Sequence, residues 1–172
     1  MTKQNTVKTN AIRLLDRHHI TYTIFTYPET VHSAHEVAPL LGVPASCVYK
    51  TLVAFADDTR RVLIVVPGDR ELHLRLAARS IGAKQVRMAH QREAERLTGL
   101  KVGGISPLAL LDKRFEIYLD ASAEQLDELY INGGQRGITI RLHVSDLLAL
   151  TQAKVIQATT GLSDTTAGSK DA

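Results

Sequence analysis

Residues 51–66 read Thr51-Leu52-Val53-Ala54-Phe55-Ala56, then Asp57-Asp58-Thr59-Arg60, then Arg61-Val62-Leu63-Ile64-Val65-Val66. Two apolar, β-branched runs flank a polar stretch, which predicts two strands over 51–56 and 62–66 paired across a turn at 57–60. In the first run Leu52, Ala54 and Ala56 share one face, and Thr51, Val53 and Phe55 share the other. Both faces are largely apolar, as in a strand with neighbours on either side. Strands that follow one another this closely do not form βαβ units. The pattern therefore predicts an α+β fold with a mixed, curved sheet rather than a doubly wound parallel one.

Working outward, residues 6–18 have helical spacing at Val7, Ala11, Leu14 and Leu15, and Tyr22 to Tyr27 reads as a strand ended by Pro28. Ser33-Ala34-His35-Glu36 fits a capping box for a helix that runs to about Leu41 and stops at Gly42. Downstream, helices are expected at 72–80 and 90–97, with a brief strand at 85–88 between them. Further strands are expected at 115–119, 129–131, 137–142 and 155–157, with a helical turn near Ala123 and a helix at 145–150. From Thr159 the chain is Gly, Ser, Thr and Asp without periodicity, so residues 159–172 are expected to be a disordered tail behind a single domain at 1–158.

A chain of 172 residues with 44% hydrophobic content suits one domain with one core. No apolar run reaches membrane-spanning length, and Met1 to Asn10 lacks a signal-peptide core, so a cytoplasmic protein is expected. The single cysteine, Cys47, excludes an intrachain disulfide framework. The net charge of +3 permits contact with phosphate without demanding it. Lys84, Arg87, Arg92, Arg96 and Lys101 form a loose cluster that reads as a solvated helix face. No helix-turn-helix or dense basic stripe suggests DNA binding.

Two features carry chemistry. In Val102-Gly103-Gly104-Ile105-Ser106-Pro107, paired glycines and a proline predict a stiff loop whose peptide N–H groups are open to a ligand. Lys50 opens the apolar strand. It is either drawn into the sheet's face or snorkels at the strand mouth, where its ammonium could hold a phosphate or carbonyl oxygen. His32 and His35 are spaced like half a metal site, but no further pair completes a zinc set, so no metal and no other cofactor is expected. Cys47 reads as structural, because no matched base accompanies it. Ser106 reads as a hydrogen-bonding loop residue. Gly133-Gly134-Gln135-Arg136-Gly137 reads as a hairpin turn, with Arg136 able to reach a phosphate and Asn132 a ligand. No P-loop, dinucleotide fingerprint or nucleophile elbow is present.

Together these elements resemble the YbaK family of aminoacyl-tRNA deacylases and the editing domain inserted in bacterial prolyl-tRNA synthetase. The matching stretches, in order, are Thr26-Tyr27, Val48-Tyr49-Lys50-Thr51-Leu52, Ser80-Ile81-Gly82-Ala83-Lys84, Thr98-Gly99, the 102–107 loop, and Tyr130 to Gly137, spanning about residues 7–157. The resemblance implies a curved, partly barrel-like sheet flanked by short helices. It also implies hydrolysis of a mischarged aminoacyl-tRNA, with Cys-tRNA(Pro) the usual substrate of the free-standing branch and prolyl-tRNA synthetase a candidate partner. The family's strand lysine maps onto Lys50, its glycine-to-proline loop onto Gly103, Gly104, Ile105, Ser106 and Pro107, and its pocket positions onto Tyr27 and Thr51. Asn132, Gly133, Gly134 and Arg136 complete the expected substrate side. Ser33 stands where some members carry an aromatic residue, Thr139 where some carry aspartate, and Asn132 where some carry serine. In this family a substrate cysteine thiol attacks its own ester, which removes the need for a protein nucleophile. Ala-tRNA(Pro) deacylation and a non-catalytic tRNA-binding module are the alternatives.

Overall fold

The computed structural model describes residues 8–161. Its hub is the strand β2 (Val48–Ala56), which pairs antiparallel with β3 (Arg60–Pro67) along nearly its whole length, from Tyr49↔Pro67 to Ala56↔Arg60. The turn between them places Asp57 and Asp58 at positive φ, 52° and 60°. Asp57 accepts from the N–H groups of Lys84 and Gln85, which ties the turn to the next segment.

Around this hairpin lie β1 (Tyr22–Thr26), β4 (Val86–Met88), β5 (Glu116–Asp120), β6 (Glu128–Asn132), β7 (Ile138–His143) and β8 (Lys154–Ile156). The eight-stranded sheet has the order β1-β7-β6-β2-β3-β5-β8, with β4 paired to β2 off this path. Parallel pairs (β2 with β6, β3 with β5, β5 with β8) occur beside antiparallel ones, so the sheet is mixed. β1 and β8 are its two ends, so the curved sheet stays open rather than closing into a barrel.

The short helices are α1 (Asn10–Arg17), α2 (Ala34–Leu41), α3 (Leu74–Ile81), α4 (Gln91–Thr98) and α5 (Val144–Thr151). Alternation along β2 divides the core. Tyr49 joins Val65, Leu129, Ile131 and Ile140 in the cluster that seats α1 and α5. Ala54 and Ala56 pack with Ala77 and Ala78 of α3. Val48 packs with Val37 and Ala38 of α2. α2 begins as expected at Ser33, whose hydroxyl accepts from Glu36 N–H at 3.2 Å. Glu36 returns to that hydroxyl at 2.8 Å rather than to the Ser33 amide, so only half of the anticipated capping box forms.

At the C-terminal end the packed region extends past residue 158. Thr159 is buried, and its N–H and hydroxyl both donate to Asp120, at 3.0 Å each. Residues 162–172 of the expected tail lie outside the described residues. In the anticipated basic cluster, Arg87 is committed to Asp58 and Glu93 and covers the Phe55 ring at 4.3 Å. No helix among the described residues is long and apolar enough to cross a membrane.

Candidate active site

Lys50 is the third residue of β2, where the strand passes α2. Its side chain is 29% exposed, and its Nζ lies 3.7 Å from the almost fully exposed carboxylate of Glu71. Neither simple expectation describes it. The ammonium is withdrawn from open solvent, yet it lines a cavity of about 350 Å³ together with Val48, Thr51 and Leu52 of the same strand. That volume is within the usual range for small-molecule sites, roughly 300–1,000 Å³.

Three other segments complete the walls. The start of α2 contributes His32, Ser33, Ala34 and His35, the glycine loop contributes Val102, Gly103 and Ile105, and the β1–β7–β6 edge contributes Tyr27, Thr139 and Asn132. Lys50 and the glycine loop therefore face one hollow. Gly103 adopts φ +91°, and a Cβ there would lie 2.7 Å from His32 Cβ and 2.9 Å from the imidazole Nδ1. Only glycine lets the loop approach the head of α2 so closely. The N–H groups of Gly103 and Ile105 take no partner among the described residues.

The carbonyls of the same loop are held from behind. Asn132 Nδ2 donates to Gly103 O at 2.7 Å and to Gln135 O at 3.2 Å, while its Oδ1 accepts from Gly134 N–H at 2.7 Å and Gln135 N–H at 3.1 Å. The Asn132 amide is thus fully engaged within the protein. Arg136 Nε donates to Val102 O at 2.7 Å, so this side chain braces the loop from behind. Gly104 lies between the two turns, where a Cβ would be 2.8 Å from Arg136 N. Thr9, which the sequence does not single out, donates to Gly133 O at 2.5 Å and caps α1.

Of the anticipated site residues, the structure brings Tyr27, Ser33, Lys50, Thr51, Gly103, Ile105, Asn132 and Thr139 to the cavity. Gly104, Ser106, Pro107, Gly133, Gly134 and Arg136 lie outside its lining and shape it indirectly. Ser106 is fully buried and its Oγ has no hydrogen-bond partner among the described residues, which corrects the expectation of a bonded hydroxyl. Thr51 lines the cavity, and its Oγ1 is likewise buried with no partner among the described residues. Tyr27 OH and Thr139 Oγ1 are 2.6 Å apart. Burial pushes the Tyr27 phenol up, which keeps it a neutral hydrogen-bonding group near neutral pH. His32 and His35 do belong to the site, as wall residues. His32 precedes the α2 cap at Ser33 and His35 lies in the first turn, so their spacing alone does not reveal the cavity they share.

Known proteins resemble this chain in sequence and in fold. The profile of the family described as "Aminoacyl-tRNA editing domain" matches residues 28–150. The chain is 36% identical over 160 residues to an Enterococcus faecalis protein provisionally named a Cys-tRNA(Pro)/Cys-tRNA(Cys) deacylase, covering 92% of this chain and 97% of that one. It is 33% identical over 110 residues to the proline–tRNA ligase of Sulfurihydrogenibium sp., covering 64% of this chain and 19% of the ligase. Among crystal structures, "hypothetical protein APE2540" superposes with a TM-score of 0.81 at 25% identity, over 88% of this chain and 100% of that one. A protein provisionally described as a trans-editing enzyme for prolyl tRNA synthetase superposes with a TM-score of 0.74 at 26% identity, over 91% and 100%.

Proposed function

The chain belongs to the aminoacyl-tRNA editing domain family, and from that premise we propose that it hydrolyses the ester joining a mismatched amino acid to the 3′ end of a tRNA, with Cys-tRNA(Pro) as substrate. The observation that carries this reading is the single cavity shared by the Lys50 ammonium and the Gly103 main chain. An aminoacyl ester is already activated, so positioning and charge stabilisation supply the rate without a protein nucleophile. Lys50 holds the phosphate or carbonyl region of the charged terminus. The N–H groups of Gly103 and Ile105, which take no partner among the described residues, serve as donors to the oxygen on which negative charge develops. The Tyr27–Thr139 pair offers hydrogen bonds to the amino acid's polar atoms.

With cysteine as the amino acid, its sulfur attacks its own carbonyl carbon. The sulfur–carbon bond forms, the ester carbon–oxygen bond breaks, and the thiol proton passes to the released ribose oxygen. Where a water attacks instead, the same donors stabilise the same oxyanion. A pocket of this kind separates side chains that differ by one methylene only modestly. Selectivity for the tRNA therefore comes from association with prolyl-tRNA synthetase. The test is ester release from Cys-tRNA(Pro), Ala-tRNA(Pro) and correctly charged Pro-tRNA(Pro), with wild type and Lys50→Ala. Rapid loss of the cysteinyl ester by wild type alone is expected. Preferential release of alanine would reassign the substrate. Release at the spontaneous rate from all three would make the protein a binding module.

A further inference from the structure

Beside the Lys50 cavity is a second one, of about 420 Å³, lined by Ser46, Tyr49, Arg70, Ser122, Gln125 and Gln157 among others. Tyr49 adjoins Lys50 in β2, so its side chain points away from that of Lys50 and reaches Ser122 Oγ at 2.9 Å. One loop serves both hollows. Between β3 and α3, Glu71 extends to Lys50, and the preceding residue, Arg70, lines the second cavity. Arg70 Nε is buried and has no partner among the described residues. An unpaired buried guanidinium N–H is unfavourable and calls for an acceptor.

The surroundings specify that acceptor's chemistry. No acidic side chain lines the cavity; Asp69, the residue before Arg70, has a buried Oδ1 without a partner among the described residues but lies outside the lining and makes no bond to the guanidinium. The nearby Asp120 is already saturated, accepting from Ser122 N–H, Ala158 N–H, and the N–H and hydroxyl of Thr159. The remaining polar groups, Ser46, Ser122, Gln125 and Gln157, are hydroxyls and amides without net charge. A guanidinium fork among neutral donors matches a phosphate.

We propose that this second cavity is an anion subsite for a phosphodiester of the single-stranded RNA just upstream of the acylated nucleotide, with Arg70 pairing its non-bridging oxygens. The proposal rests on the Lys50 cavity being the seat of the acylated terminus. Because Arg70 and Glu71 are consecutive, a chain leaving that seat past Glu71 meets Arg70 next.

The probes are the uncharged trinucleotide CpCpA and free adenosine, each titrated calorimetrically into wild type, Arg70→Ala and Ser46→Glu. Ser46 is exposed, so its replacement places a carboxylate at the cavity without disturbing the core. Both variants should bind CpCpA at least tenfold more weakly while binding adenosine like wild type. The dependence of log affinity on log salt should flatten by roughly 0.7 in Arg70→Ala, as for one lost contact to single-stranded phosphate. Equal CpCpA affinity in all three proteins, no CpCpA binding by wild type up to millimolar concentration, or an equal loss of adenosine binding overturns the subsite. Kinetics separate the two readings. A wild type that binds CpCpA through Arg70 yet releases no ester overturns the deacylase reading alone. Hydrolysis of Cys-tRNA(Pro) with unchanged KM in Arg70→Ala overturns the phosphate subsite alone.

Discussion

The turn at 102–107 and the turn at 132–137 both carry paired glycines and meet beside β2, yet they contribute differently. The first puts main chain on the cavity at Gly103 and leaves the Gly103 and Ile105 N–H groups without a partner among the described residues. The second spends its polar groups on the first, with Asn132 gripping Gly103 O and Arg136 gripping Val102 O. One turn is the wall and the other the brace. Glycine thus marks close approach in both places, but only the bonding pattern tells which turn meets a ligand.

The sharpest test of that division is Gly103→Ala. Its Cβ would collide with His32 at φ +91°, so ester hydrolysis should fall at least 100-fold, with a loss of about 2 kcal/mol, or ~4–8 °C in Tm. Wild-type turnover by this variant would break the wall assignment. Asn132→Ala should come next. It strands the Gly103 carbonyl and the Gly134 amide, costing about 2 kcal/mol and roughly tenfold in kcat/KM, whereas Asn132→Asp should keep the turn's N–H contacts and lose only the two donated bonds. Arg136→Ala removes one strut and should raise KM several-fold with little change in kcat. If it abolished turnover as Gly103→Ala does, the wall-and-brace distinction would fail.

Thr139→Val should be milder still, about 1 kcal/mol, because it deprives the half-buried Tyr27 hydroxyl of its partner. The Thr139 bond partly offsets the effect of burial, so its loss should move the Tyr27 titration to still higher pH in a spectrophotometric titration. The Arg60–Glu116 pair, away from both turns, sets the baseline. Hydrogen bonding from Arg60 holds the Glu116 carboxyl below its ordinary value of 4.5. Its stabilisation is therefore present above about pH 4.5 and lost as pH falls through the lower folded value. Both side chains are about a third exposed or more, so Glu116→Gln should cost under about 1 kcal/mol at pH 7, and melts of the two proteins should converge in acid.

Much of the fold is legible in local pattern. The β2–β3 hairpin, the helix ending at Gly42 and the short helix behind Gly82 all follow from alternation, caps and turn residues within a few positions. The parallel pairings of β2 with β6 and β3 with β5 are not legible, because they join segments more than fifty residues apart. At the site, Lys50 and Gly103 stand out because each breaks a local rule, a cation in an apolar strand and a residue pair suited to unusual backbone. Asn132 and Arg136 carry groups that serve a ligand or a carbonyl equally well, and only the fold decides. Thr9 has no distinguishing signal at all, since its partner Gly133 is 124 positions away.

Lys50 stands on β2, which has β3 on one side and β6 and β4 on the other, so its backbone amides should be among the last in the molecule to exchange with deuterated solvent. The cation thus sits on an anvil, while the head of α2 and the 102–105 segment are attached to it by far fewer bonds. Bound ligand should slow exchange in those two covering segments and leave the strand's own rates untouched.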